Sequence, residues 1–129
     1  MLASLIMAAY PTFVLTYTWS HVLQSTLPGG RHGPLDAYRH TLASAVVAYT
    51  LHARAIDLVN GVMERRGKRS NQMDIHNNLI GAGIGSRADR FSDIEPAVAR
   101  SVAAGRIDAP SPDQTTWLPP GDWEEGFAW

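Results

Sequence analysis

Apolar residues recur three or four positions apart over much of the chain, which is the spacing of a buried helix face. From 35 to 64 the pattern is unbroken, so we expect one long central helix there, with Pro34 in its first turn, where a missing N–H costs nothing. The apolar positions that define this face are Leu42, Val46, Tyr49, Ala53, Ile56 and Val59.

The first 30 residues contain no Asp, Glu, Lys or Arg. Residues 1–9 favour a helix, and Pro11 interrupts the pattern, so we expect a pair of apolar, buried helices within 1–27. No basic segment precedes the apolar run, as a secretory signal would require. An alternative is membrane contact through residues 1–23, which are long enough for a span but contain several polar side chains.

Two further helices are expected after the central one. The first runs from about Gln72 to Ile84, with Ser70 and Asn71 as candidate N-caps and three glycines in its second half. So many glycines are unfavourable in a helix unless another backbone or a ligand approaches closely. The second helix follows the capping box Ser92–Glu95 and ends near Ala104.

The chain changes character at Arg106. Segment 106–129 contains four of the eight Pro residues and three of the four Trp residues, which predicts an irregular tail. We expect this tail to cover the helices, because aromatic side chains bury a large apolar area; docking on a partner is the alternative. The whole is therefore predicted as one all-α domain over 1–129, a bundle of four to five helices with a motif-bearing core at 34–105.

Composition limits the function. The 129 residues are 45% hydrophobic and 18% charged, as in a globular domain. The net charge of −1 argues against a nucleic-acid partner. A basic run at 65–69 is the local exception, and we interpret it as a solvated helix end; a contact with a phosphate or a lipid headgroup is the alternative. The absence of Cys excludes thiolate chemistry and disulfides but does not indicate a compartment.

The first candidate site segment begins the central helix. Asp36, Arg39 and His40 are spaced i, i+3 and i+4, so they share one helix face. A carboxylate that orients an imidazole is the arrangement of general acid–base sites, so we expect His40 to be the base and Asp36 its orienting group. Arg39 supplies a planar cation that suits phosphate or carboxylate.

The second segment is Met73–Gly81, which places polar groups close together before a glycine-rich run. If this segment is helical, Asp74 shares a face with Asn77 and Asn78, and His76 points almost the opposite way. If it is extended, Asp74, His76 and Asn78 align instead. In both cases the segment is expected to face the first one, with Asp74 and His76 catalytic and the two Asn side chains binding substrate.

Two other interpretations of these residues stay open. The polar groups could form a structural network that joins two helices without chemistry, since buried polar groups need partners. A metal site is the other alternative; no metal ligand is assigned, because no H-x-x-x-H or comparable spacing is present.

The two segments resemble an uncharacterised family of bacterial helical domains with D-A-x-R-H and M-D-L-H-N-N-x-x-G motifs and a Glu-bearing helix between them. The resemblance covers about residues 33–85. Two departures are visible: 41–44 lacks the Trp that many members have, and Met63 stands where members have a His. The matching positions are Asp36, Arg39, His40, Glu64, Asp74, His76, Asn77 and Asn78.

Members of this family often lie at the C-terminal ends of secreted or toxin-like proteins. The resemblance therefore implies a bacterial, secreted or delivered effector and a partner such as an immunity protein. It implies an all-helical fold but no defined reaction, cofactor or oligomeric state. Together with the residues, it predicts a hydrolase domain; an interaction module and a membrane-active protein are the alternatives.

Overall fold

The computed structural model describes residues 2–64, 69–109 and 111–125, and it describes the side chains of all of these except 2–7, 62–64, 69 and 70. The predicted all-α bundle is confirmed, since the described residues form five α-helices and two very short strands. The helices are α1 (Leu2–Gln24), α2 (Pro34–Thr50), α3 (Arg54–Glu64), α4 (Arg69–Arg87) and α5 (Ile94–Ala103).

Helix α2 lies at the centre of the bundle and contacts each of the other four helices. Leu42, Ala45 and Val46 are fully buried and pack with Ile94 and Val98 of α5 in the main core. Because α2 is covered on several sides, its polar residues must find partners inside the protein, and this determines where the candidate site forms.

The expected helix pair at the start of the chain is wrong, because α1 continues through Pro11 as one helix. Val14, Thr18 and Val22, spaced by four residues, are buried. This packing outweighs the backbone hydrogen bond that proline removes. No helix within the described residues is long and apolar enough to cross a membrane.

The expected single helix over 35–64 is also wrong, because α2 ends at Thr50 and α3 begins at Arg54. Nδ1 of His52 accepts the backbone N–H of Arg54 at 3.2 Å, so this side chain caps the first turn of α3. No Gly or Pro marks the break. The turn allows α3 to pack against α4, with Ile56 buried against Ala82.

The capping box expected at Ser92–Glu95 does not form. Phe91–Asp93 make a short 3₁₀ turn, and no side chain caps α5, which begins at Ile94. The Glu95 carboxylate instead accepts a hydrogen bond from the Tyr38 hydroxyl at 2.8 Å, so it ties α5 to α2. Residues 65–68 of the basic run lie outside the described residues.

The C-terminal segment crosses the bundle. Strand β1 (Arg106–Ile107) pairs in parallel with β2 (Thr116–Trp117), so the tail is not wholly irregular. Trp117 packs against the main core, and Trp123 lies against Gly29 and Gly33 in the loop before α2. The Trp side chains of the described tail therefore act as a cover.

Helices α2 and α4 approach closely at two glycines of α4. A Cβ atom at Gly81 would overlap the carbonyl of Thr41, and one at Gly85 would overlap the carbonyl of Ala45. The glycines of this helix were expected to let another backbone approach closely, and Gly81 and Gly85 do so. This contact sets the distance between the two polar segments.

We expect Gly85→Ala to destabilise the protein by about 1–3 kcal/mol, because the added methyl group overpacks the α2–α4 contact. Gly61→Ala is the matched control, since nothing lies within 4 Å of a Cβ atom at that helix position. It should stabilise the protein by about 0.5–1 kcal/mol. Urea denaturation measures both changes, and a Gly85→Ala protein as stable as the wild type would contradict the close contact.

Candidate functional site

The loop before α2 and the first turns of α2 hold a buried carboxylate. Asp36 is only 1% exposed, and its Oδ2 accepts the backbone N–H of His32 at 2.8 Å. A carboxylate in the first turn also interacts favourably with the helix dipole. Asp36 is therefore held rigidly at the base of the site.

Arg39 neutralises this carboxylate. Its Nε and Nη2 atoms donate to Asp36 Oδ1 at 3.2 and 2.7 Å. The guanidinium carbon lies 5.8 Å from the ring centre of Trp19, a cation–π distance. A buried carboxylate requires such a partner, and removal of one member of a buried pair typically costs about 3–5 kcal/mol.

His40 is held in one orientation by Asn78. Nδ1 of His40 lies 3.3 Å from Asn78 Oδ1, and an amide oxygen only accepts, so Nδ1 carries the proton of the neutral ring. Nε2 then has a lone pair, which accepts from Arg39 Nη2 at 3.1 Å. The orienting contact expected from Asp36 thus comes from Asn78, while Asp36 lies on the Nε2 side, 3.5 Å away.

Asn78 connects three helices. Its Oδ1 also accepts from the Ser44 hydroxyl at 2.9 Å, and its Nδ2 donates to Asn60 Oδ1 at 3.0 Å. Asn60 was not among the residues predicted from sequence. Its one local signal is that it lies four positions after the buried Ile56, on the same face of α3.

Asp74 completes the cluster from α4. Its Oδ1 atom lies 3.4 Å from Nε2 of His40, is fully buried and has no hydrogen-bond partner. An unsatisfied buried oxygen is unfavourable. A proton or a cation between Asp74 and His40 would remove this cost.

The pKa values of the two groups move toward each other's normal range. Burial, and after it the charge of the Asp36 carboxylate, raise the pKa of Asp74 to about 7. Burial lowers the pKa of His40 to about 4; Asp36 opposes this change and Arg39 adds to it. At intermediate pH we therefore expect the Asp74–His40 pair to bind one proton in total.

His76 does not join this cluster. Residues 69–87 are helical, and the ring of His76 donates from Nε2 to the backbone oxygen of Gln114 at 2.6 Å. No hydrogen bond or ion pair among the described residues joins His76 to His40. The helical alternative for this segment is the correct one, and it directs His76 to the C-terminal segment.

Asn77 also contacts the C-terminal segment. Its amide donates to the backbone oxygen of Thr116 at 2.7 Å and accepts the backbone N–H of Thr116 at 3.0 Å. The two bonds imitate a strand pairing and leave the side chain fully buried. The structure therefore assigns Asn77 a structural contact where substrate binding was expected.

His32 forms the outer edge of the site and was not predicted from sequence. Its φ angle is 70°, an unusual value for a residue other than glycine. Its Nε2 lies 3.5 Å from Oε1 of Glu124 in the C-terminal segment. His32 thus joins the carboxylate at the base of the site to the segment that covers it.

No family model, curated protein or solved structure matches this chain. The resemblance to the bacterial helical domains therefore stays a prediction. Of the positions it implied, Asp36, Arg39, His40, Asp74 and Asn78 lie together. The side chain of Glu64 is outside the described part of the structure.

We expect Asp74→Asn to change how stability depends on pH. The pKa of Asp74 is higher in the folded than in the unfolded state. Its contribution to the free energy of unfolding is therefore lost as pH rises from 3.8 toward about 7. The pKa of His40 is lower in the folded than in the unfolded state. Its contribution to the free energy of unfolding is therefore lost as pH falls from 6.5 toward about 4. Between these limits the folded and unfolded wild-type pair each bind one proton, and the two slopes cancel.

In Asp74→Asn, only His40 still contributes to the slope of the free energy of unfolding against pH. From about pH 4 to 6.5 the variant should gain stability relative to wild type by up to about 1.4 kcal/mol per pH unit. Urea denaturation across this range measures the slope. Asp89→Asn, at an exposed position, is the control. Parallel profiles for wild type and Asp74→Asn would contradict the single proton expected on the pair.

Proposed function

We propose that this chain is a hydrolase domain of the bacterial effector type, in which His40 is the general base. One observation carries the proposal. The lone pair of His40 Nε2, oriented by Asn78 through the opposite ring nitrogen, faces the carboxylates of Asp36 and Asp74. An imidazole held in one tautomer beside carboxylates is suited to accept a proton from water.

The site has an accessible edge. The side chains of His40 and Arg39 are 20% and 21% exposed, whereas Asp36 is buried beneath them. When Arg39 turns from Nε2 to the substrate, a water molecule at this edge would give its proton to Nε2 as its oxygen attacks the substrate, and the imidazolium would return that proton to the leaving group of the bond that breaks. The imidazolium that forms would lie within 3.5 Å of two carboxylate oxygens, which stabilise its charge.

Arg39 would bind the substrate. Asp36 fixes its guanidinium beside Nε2, so the positive charge is placed before substrate arrives. A planar cation in this position suits an anionic group, and it would also stabilise negative charge that develops in the transition state. Phosphodiesters, lipids and cell-wall components are the substrate classes that we consider.

A second candidate function is favoured by the number of helices that the network joins. Asn78 bonds to groups on α2 and α3 from its place on α4, and the pairing of Asp36 and Arg39 is largely buried. A non-enzymatic interaction module that uses these contacts only to join its helices would contain the same hydrogen bonds. The two functions differ in what the loss of the His40 imidazole does.

We expect wild-type protein to arrest bacterial growth when it is expressed in the cytoplasm or, with an added export signal, in the periplasm. His40→Gln should remove the arrest, because loss of a general base typically lowers the rate by about 10²–10⁴-fold. Thermal melts of the purified proteins accompany the growth assay, and the expected difference in melting temperature is small.

His52→Asn is the matched control, since His52 is an exposed histidine and Asn retains an acceptor for the first turn of α3. Two results would overturn the enzyme proposal. In one, a folded His40→Gln protein is as toxic as the wild type. In the other, the wild type is harmless in both compartments and His40→Gln melts far lower, which is the behaviour of a structural network.

A further inference from the structure

Three ligand-type atoms in the site surround one small space. Asp36, His40 and Asp74 each offer one such atom, and these atoms all lie within 4.8 Å of one another. The two distances from Nε2 are 3.5 and 3.4 Å. A tetrahedral ion with bonds of about 2.0–2.2 Å separates its ligand atoms by about 3.3–3.6 Å, so these distances already match a zinc-like site.

The unpartnered oxygen of Asp74 is an independent observation that points to a ligand. Asp74 is 9% exposed, and its buried Oδ1 accepts no hydrogen bond although it faces Nε2 of His40. A bound cation would satisfy this oxygen and the imidazole lone pair together. Without a bound cation, no contact offsets the free-energy cost of burying this carboxylate oxygen.

The orientation of the histidine suits metal binding as well. Histidines that bind metals usually donate their second ring N–H to an oxygen, which fixes the tautomer. Asn78 Oδ1 occupies that position beside Nδ1 of His40, and it is itself held by Ser44. The lone pair of Nε2 is thus aimed at the space between the carboxylates.

Without a bound ion, Arg39 provides the positive charge between Asp36 and His40. Its Nη2 atom lies 2.7 Å from Asp36 Oδ1 and 3.1 Å from His40 Nε2. An ion can bind only if this nitrogen leaves Nε2. The exchange replaces one cation by another beside Asp36 and gives the Asp74 oxygen a partner that it otherwise lacks.

We infer that Asp36, His40 and Asp74 bind a single transition-metal ion of the Zn²⁺ class in exchange for the contact between Arg39 and His40. One imidazole and two carboxylates suit such an ion, whereas Mg²⁺ prefers six oxygen ligands. Because the ion occupies Nε2, it would block His40 as a base and inhibit hydrolysis. This last consequence rests on the function proposed above; the binding itself does not.

The test is calorimetric titration of Zn²⁺ into chelator-treated protein without substrate. The wild type should bind one ion per chain at this site, and Asp74→Asn should lower the affinity at least about tenfold, because it removes a ligand charge. Asp89→Asn, an exposed control, should leave the affinity unchanged, and Mg²⁺ should not compete. Equal Zn²⁺ affinity in wild type and Asp74→Asn, or no binding by the wild type, overturns the inference.

A second variant tests the exchange independently of Asp74→Asn. Arg39→Gln removes the competing cation, so Zn²⁺ should bind it more tightly than wild type and should raise its melting temperature more. A Zn²⁺ affinity that is unchanged or lower in Arg39→Gln overturns the exchange. Since these measurements involve no substrate, a failed growth assay would disprove the hydrolase without affecting this result.

Discussion

The close approach of α2 and α4 is the constraint on which the site depends. Gly81 and Gly85 have no Cβ atoms, so the backbone of α4 rests against the carbonyls of Thr41 and Ala45. At a normal helix separation, with side chains between, interaxial distances are about 8–10 Å. The tighter contact brings Asp74 and Asn78 within reach of His40 on the facing helix.

This close approach buries two carboxylates next to one guanidinium and one imidazole. Two carboxylates, Asp36 and Asp74, are buried near each other, and one guanidinium neutralises the first of them. The second has no such partner, and its burial beside Asp36 raises the pKa of Asp74, while burial lowers the pKa of His40. The proposed acid–base chemistry and the proposed cation binding therefore rest on one geometry, the approach of Asp36 and Asp74 to Nε2 of His40.

The sequence predicts those parts of the structure that depend on local spacing. Asp36, Arg39 and His40 share a face because they lie within one turn of a helix, and Asn78 lies four residues after Asp74 for the same reason. The position of His76 depended on whether its segment was helical or extended. Once the segment is helical, His76 must turn away from Asp74.

The other features depend on contacts between distant segments. Pro11 suggested a break, but tertiary packing keeps α1 continuous, whereas the break at His52 depends on a side-chain cap without a Gly or Pro signal. Asn60 enters the site only because α3 folds back against α4. Local propensity does not encode such pairings, so they become visible only in three dimensions.

The tautomer of His40 is the most direct test of this account. Two-bond ¹H–¹⁵N NMR at neutral pH, with His40 assigned by comparison with His40→Gln, distinguishes the two neutral rings and the imidazolium. The account predicts a neutral ring with its proton on Nδ1, donated to Asn78, and an unprotonated Nε2 that faces Asp74. A proton on Nε2, or a charged ring at neutral pH, would contradict both the proposed base and the proposed ion site.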